Sequence, residues 1–202
     1  MRIKPPKILR RLMPDLIWEI EDKEGVFLTF DDGPTPGITE WILSVLDQYN
    51  AKATFFVLGK NVEMYPDLYQ RIVAAGHRVG NHTYSHQKGW GMSMERYVED
   101  VDFANDLVHS ELFRPPYARI TPSQTRALAK RYKLVMWDII SRDYNRSLSP
   151  RACLKNVTKH LEGGSIVVFH DSEKAFRNMR YALPRTLAKI AELGLKCKSI
   201  EL

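Results

Sequence analysis

Cysteine is almost missing: Cys153 and Cys197 are the only two in 202 residues. Two cysteines make no disulfide framework, and without a Cys-x-x-Cys spacing they supply neither a metal knuckle nor a redox pair. They read as two small apolar residues. Long apolar runs are missing too, and no stretch approaches the roughly 18 residues of a membrane-spanning helix. Met1 to Lys7 has the charge of a signal-peptide start, but Asp15 and Glu19 interrupt the segment before an apolar region forms. The expectation is a cytoplasmic chain made without a cleaved signal. A glycine-rich phosphate cradle, zinc-finger spacing and an aromatic-basic repeat are all absent, which argues against a nucleic-acid partner. No internal repeat, low-complexity tract or Pro-, Gly- or Ser-rich linker divides the chain. One domain over residues 1–202, acting as a monomer, is expected.

What is present is globular: 44% hydrophobic and 27% charged residues are enough to build a core and too apolar for disorder. The net charge is +6, and five of the basic residues, Arg2, Lys4, Lys7, Arg10 and Arg11, precede the first acid, Asp15. Interleaved with Ile8, Leu9, Leu12 and Met13, residues 1–24 read as a solvated basic arm. Peripheral contact with an anionic inner-membrane surface is the alternative.

Strand and helix signals alternate along the rest. Strands are expected at Val26–Phe30, Ala53–Leu58, His77–Asn81, Leu112–Phe113, Lys133–Ile139, Ser165–Phe169 and Lys196–Ile200. Helices are expected at Ile38–Tyr49, Pro66–Ala75, from Ser93 to about Ser110, from the capping box at Thr121 to about Arg131, from Ser149-Pro150 to Gly163-Gly164, and over Pro184–Leu193. Seven strands separated by helices demand a parallel sheet, either a small barrel or an open doubly wound sheet.

Polar residues gather at the ends of those strands: Asp31-Asp32 after the first, His82 after the third, Arg114 after the fourth, Asp143 after the fifth and His170-Asp171 after the sixth. In a parallel α/β fold these ends share one face, where loops build active sites. His82 and His86 are four positions apart, so one helical turn puts both imidazoles on one side. With a carboxylate from another strand they make a His, His, Asp set with open positions; two unrelated polar residues on an exposed turn are the plainer account. His77, His109 and His160 lack such company and read as structural or solvated. Two adjacent acids closing an apolar strand repel each other and resist burial unless a cation is near. One can then bind it while the other stays free as a base, although Asp-Gly-Pro alone also makes a polar turn.

These strings resemble the motifs of the polysaccharide deacetylase family, the NodB homology domain of carbohydrate esterase family 4. They are Thr29-Phe30-Asp31-Asp32-Gly33-Pro34, His82-Thr83-Tyr84-Ser85-His86, Arg114-Pro115-Pro116-Tyr117, Trp137 through Asp143-Tyr144, and Val168-Phe169-His170-Asp171. They run from Val26 to the C-terminus in the family's order and spacing. The resemblance implies a distorted seven-stranded (β/α) barrel with an open groove for a glycan chain. It implies one divalent metal ion, zinc first, with cobalt or another metal as alternatives, held by Asp32, His82 and His86. Asp31 would be the general base, positioned by Arg114. The backbone N–H of Tyr117 would join the metal in stabilising an oxyanion, and His170 would be the general acid, tuned by Asp143. Trp137, Tyr144 and Val168 would wall the acetyl pocket.

The implied activity is removal of N-acetyl groups from N-acetylglucosamine-containing glycans such as chitooligosaccharides or peptidoglycan. A deacylase of another amide or ester, such as a lipid-linked sugar, is the nearest alternative. A catalytically silent sugar-binding module is disfavoured by the intact Asp31 and His170. A two-metal phosphoesterase needs more ligands than this set supplies. Three departures concern the pocket and not the ligands: Ala118 stands where the family usually has Gly, Tyr144 where it has Trp, and Ile140 where an acid is common. Gly89-Trp90-Gly91 is either a sugar-stacking loop or a Trp packed on its own domain.

Overall fold

The computed structural model describes residues 3–202, the side chains of Lys7, Leu9 and Leu12 excepted. Its elements in chain order are α1 (Lys7–Leu12), β1 (Leu16–Ile17), β2 (Gly25–Asp31), α2 (Ile38–Gln48), β3 (Thr54–Val57), α3 (Gly59–Met64), α4 (Pro66–Ala74), β4 (Arg78–Asn81), α5 (Met94–Val108), β5 (Leu112–Phe113), a 3-10 turn (Pro116–Ala118), α6 (Pro122–Leu128), β6 (Lys133–Val135), β7 (Ile139–Ile140), α7 (Pro150–Thr158), β8 (Ile166–His170), α8 (Glu173–Glu192) and β9 (Lys196–Cys197). The strands pair in parallel in the order β1-β6-β5-β4-β3-β2-β8-β7, with β9 beside the start of β2. β6 and β7 sit toward opposite ends of that order, yet only Met136, Trp137 and Asp138 lie between them. Those three residues draw the ends together, and the sheet curls into a distorted (β/α) barrel. The strand expected over residues 133–139 is therefore two, because the chain crosses the barrel's seam in its middle.

Alternation along each strand sorts side chains between two cores. Val26, Leu28 and Phe30 of β2 pack outward with Phe55, Val167 and Phe169 against helices α2, α7 and α8. Phe27 of β2, Phe56 of β3 and Ile166 and Val168 of β8 fill the barrel interior. The same alternation carries Thr29 and Asp31 inward above Phe27, and His170 inward above Val168. Register then sets Asp31 beside His170 on adjacent strands.

The helix ends follow their capping residues. Ser93 and Ser149 accept from the backbone N–H three residues on, and Thr121 and Gln124 form a reciprocal capping box. Pro184 misleads, however. It reads as a helix start, whereas α8 begins at Glu173 and carries Pro184 inside a 20-residue helix. The buried face of Ala175, Met179, Ala182, Leu183, Leu187 and Ile190 outweighs the one backbone bond that proline forfeits.

The N-terminal segment is also not a solvated arm. β1 pairs with β6, Leu16 and Trp18 are buried, and the Ile140 N–H donates to the Ile3 carbonyl at 3.2 Å. Lys4 reaches the buried Asp138 at 3.3 Å and Glu162 at 2.5 Å. Arg10 pairs with Glu19. The segment thus straps the seam from the β7 edge to the β6 edge. Arg2 and the side chains of Lys7, Leu9 and Leu12 lie outside the described residues. Among the described residues, no helix is long and apolar enough to cross a membrane.

Candidate active site

The barrel mouth holds a cleft of about 420 Å³ lined by the C-terminal ends of the strands and their loops. Asp31, Asp32, His82, His86, Tyr117, Trp137, Tyr144, Val168 and His170 all face it. Arg114 and Asp143 do not; both are fully buried one layer behind.

Asp32 follows β2 with φ of 82°, which turns its carboxylate away from the strand's alternation. Gly33 comes next because any Cβ there would stand 2.1 Å from Asp171 Oδ2. His82 and His86 share a side, although no helix places them. The segment after β4 is a loop bent by left-handed residues at Thr83 (φ 68°) and His86 (φ 61°). Non-glycine residues in that region carry strain and persist where surrounding contacts fix them. Here the Thr83 N–H donates to Asn81 Oδ1 at 2.8 Å, and Ser85 Oγ donates to Asp100 at 2.6 Å.

Asp32, His82 and His86 each offer one ligand atom, and all three lie within 4.8 Å of one another. The His82 Nδ1–H donates to the Arg114 carbonyl at 2.7 Å, leaving its Nε2 lone pair facing Asp32. Burial pushes that imidazole down to about 4, against the pull of Asp31 and Asp32, so it is neutral at pH 7. His86 Nδ1 lies 3.1 Å from the Tyr117 hydroxyl. Burial alone would raise Asp32, but His86, His170 and His82 hold its carboxyl well below the usual range. Asp32 Oδ1 is buried without a hydrogen-bond partner, at 3.2 Å from His86 Nε2 and 3.8 Å from His82 Nε2. An orphaned carboxylate oxygen between two imidazole nitrogens suits a divalent cation with three protein ligands and open positions.

Asp31 faces the fully buried Arg114, which donates to Asp31 Oδ1 at 2.6 Å and to Thr29 Oγ1 at 2.7 Å. Arg114 also donates to the carbonyls of Val135 (3.1 Å) and Met136 (2.8 Å), and its guanidinium lies 4.0 Å from the Phe56 ring centroid. On the neighbouring strand β8, His170 Nδ1 meets Asp143 Oδ1 at 2.8 Å, and the His170 backbone N–H donates to Asp143 Oδ2 at 2.8 Å. Burial would lower His170, but Asp143, with Asp32 and Asp31 behind it, raises it to about 9. His170 is therefore a proton donor at neutral pH.

The 3-10 turn after β5 is closed by bonds from Ala118 N to Pro115 O and from Arg119 N to Pro116 O. Neither uses the Tyr117 N–H. Ala118, at the family's glycine position, has φ of 55°, a backbone glycine adopts freely. Trp137, Ile140, Tyr144 and Val168 form an apolar wall, so an aliphatic residue lines the pocket at the position where an acid is common. The Tyr144 ring stands edge-on to His170 with centroids 4.9 Å apart. Sequence reasoning missed Pro115, Arg119, Ser172 and Lys174, which also line the cleft, and Asn178 and Ser141, which brace Asp143 from behind. Pro115 lay inside the Arg-Pro-Pro-Tyr string, and Arg119 and Ser172 lay just after quoted strings; Lys174 had no such signal. Trp90 is 55% exposed, with its N–H on the Ile120 carbonyl at 3.3 Å and Arg119 over its ring. His77 is structural: it is buried and accepts from Ala53 N at 3.3 Å.

A parallel α/β barrel whose mouth brings a His, His, Asp cluster together with a buried Asp–Arg pair and a half-buried Asp–His pair has an arrangement suited to metal-assisted hydrolysis. The family model for polysaccharide deacetylase matches residues 19–137, and the chain belongs to that family. It is 34% identical over 158 residues to a peptidoglycan-N-acetylglucosamine deacetylase of Bacillus cereus, covering 75% of this chain and 57% of that protein. The chain thus spans little more than half the length of that relative. It is 32% identical to a chitooligosaccharide deacetylase of Rhizobium leguminosarum bv. trifolii, covering 74% of this chain and 73% of the relative. In three dimensions it superimposes on a crystal structure of a peptidoglycan N-acetylglucosamine deacetylase with a TM-score of 0.84 at 30% identity. That match covers 92% of this chain and 90% of the other.

Proposed function

We propose that the protein is a metal-dependent hydrolase that removes N-acetyl groups from N-acetylglucosamine-containing glycans. The observation that carries this is the orphaned Asp32 oxygen held between His82 and His86, with a paired carboxylate on one side and a charged imidazole on the other. A divalent cation held by Asp32, His82 and His86, zinc first among the candidates, supplies Lewis acidity toward a water and an acyl oxygen.

Asp31 takes the proton from the attacking water. Arg114 fixes that carboxylate through a charge-assisted bond. The Tyr117 N–H donates to the oxygen that becomes negative. His170 then gives its proton to the departing nitrogen, since an amine leaves far more readily than an amide anion. Asp143 holds His170 in the orientation and protonation state for that transfer. Trp137, Ile140, Tyr144 and Val168 exclude water around the acetyl methyl.

Loss of acetate release in a chelator, with return on adding zinc or cobalt to the same sample, is the expected result. Full activity of protein shown by elemental analysis to be metal-free would sink the reading. A silent sugar-binding module predicts oligosaccharide binding without acetate release under every metal condition.

A further inference from the structure

We propose that Arg119 and Lys174 bracket the cleft as two anion-binding groups, selecting an N-acetylated glycan that carries a carboxylate or phosphate beside the reacting sugar. This rests on the deacetylase reading and narrows its substrate class. Both side chains line the cleft. They come from different walls: Arg119 from the turn after β5, Lys174 from the first turn of α8 after β8, with β4, β3 and β2 lying between those strands.

Each cation sits on an aromatic ring. The Arg119 guanidinium lies 5.4 Å from the centroid of Trp90, and Lys174 Nζ lies 5.8 Å from that of Tyr144, the ring against His170. Among the described residues neither forms an ion pair, whereas the exposed Arg78 and Arg131 each face an acid, Glu111 and Asp102. Among the described residues the carboxylates lining the cleft are Asp31, already paired with Arg114, and Asp32, in the His82–His86 cluster. A lysine in the first turn of a helix adds to the helix's positive end and works against its stability. Glu173 shares that turn but does not line the cleft. A neutral glycan offers these cations only oxygen dipoles, while a carboxylate or phosphate adds charge–charge attraction to the same hydrogen bonds. The net charge of +6 draws such substrates in.

The test uses the full zinc-loaded chain and three oligosaccharides of matched length. One is neutral (all N-acetylglucosamine), one alternates N-acetylglucosamine with N-acetylmuramic acid, and one is neutral apart from a phosphate at its reducing end. Both kcat/KM and the calorimetric Kd are measured. Either anionic glycan should be favoured over the neutral one by about tenfold at low salt, the combined worth of two exposed charge contacts. That ratio should collapse toward one at high salt and in the R119Q/K174Q double variant. The arm that responds identifies the anion as sugar carboxylate or phosphate. Equal values for all three glycans, or a preference indifferent to salt and to R119Q/K174Q, overturn the proposal. Turnover without preference overturns it and leaves the deacetylase reading standing. Salt-sensitive preference in Kd without turnover does the reverse.

Discussion

At the end of β2 Asp31 faces Arg114 at 2.6 Å; at the end of the neighbouring β8 His170 faces Asp143 at 2.8 Å. The distances are alike and the chemistry is not. A guanidinium keeps its charge at any pH the fold survives, so the Arg114 pair is permanent and can only hold its carboxylate still. An imidazole gives its charge up, so the His170 pair stores a proton that can be handed on. The comparison gives the two aspartates different tasks without any difference in residue type. Asp31 faces the cleft, where the proposed reaction uses it as base, whereas Asp143 is buried behind His170 and in that reaction would act through it.

The sharpest break of that comparison comes from the permanent pair. Arg114→Leu strands the buried Asp31 and removes four hydrogen bonds, to Asp31, Thr29, Val135 and Met136. We expect a loss of about 3–5 kcal/mol, as when one partner of a buried ion pair is deleted. In a chain of this size that corresponds to a melting temperature roughly 6–20 °C lower. Asp143→Asn should cost less, because His170 can shed its proton. Equal destabilisation by the two variants in chemical denaturation would show that the pairs do not differ as argued.

Asp31→Asn comes next. Asparagine can still accept from Arg114, so the fold and metal content should persist while acetate release falls about 100-fold or more, the loss expected without a general base. If elemental analysis finds the metal gone instead, Asp31 is a ligand and the two neighbouring carboxylates have been assigned the wrong way round.

The titratable pair yields a smaller, pH-dependent effect. His170 is raised to about 9 by Asp143, with Asp32 and Asp31 behind it; a cation on Asp32 takes away part of that raise, so the upper limb of the metal-loaded enzyme's pH–rate profile should fall below about 9. Asp143→Asn should move the limb to lower pH and reduce kcat about tenfold. His170→Ala should lose the limb altogether while keeping metal and substrate binding. Stability follows the same sign. A histidine whose folded pKa lies above its ordinary 6.5 adds stability that is whole below pH 6.5 and is lost as pH rises through about 9. An unchanged upper limb in Asp143→Asn would mean that Asp143 does not tune His170.

Much of this site was legible because strand alternation and strand ends are written in the sequence. The run Val26-Phe27-Leu28-Thr29-Phe30-Asp31 fixes which residues point inward, and five ordered motifs fix the rest of the constellation. What was hidden depends on contacts distant in sequence. β1 is two residues long among acids and bases, and only β6 makes it a strand. The strap's basic residues read as solvated because the buried Asp138 that meets Lys4 lies far along the chain. The two histidines were placed on one side for the wrong reason, because Thr83 and His86 adopt left-handed backbone that their residue types do not announce. Lys174 carried no signal at all; nothing local marks a helical lysine as facing a cleft.

The smallest expected effect tests the strained turn after β5. Tyr117 and Ala118 adopt φ of 60° and 55° in succession, a conformation that costs a non-glycine residue about 1–2 kcal/mol. Ala118→Gly removes that cost at one position. Against this stand a freer unfolded chain, worth about 0.4–1 kcal/mol, and a half-buried methyl packed on the barrel interior, worth a few tenths of the roughly 0.8 kcal/mol of a full one. The terms nearly cancel, with strain relief ahead, so the variant should be more stable by about 0.5 kcal/mol or less, raising the melting temperature by only about 1–2 °C. Activity is the finer readout. If the rigid Ala118 helps aim the Tyr117 N–H, glycine should lower kcat about two- to threefold with KM unchanged, since an interaction made only in the transition state weakens. A glycine variant destabilised by more than about 1 kcal/mol would show that the methyl's packing outweighs the backbone strain. Ala118 would then hold the turn in place by its contacts, and its left-handed backbone would be the lesser term.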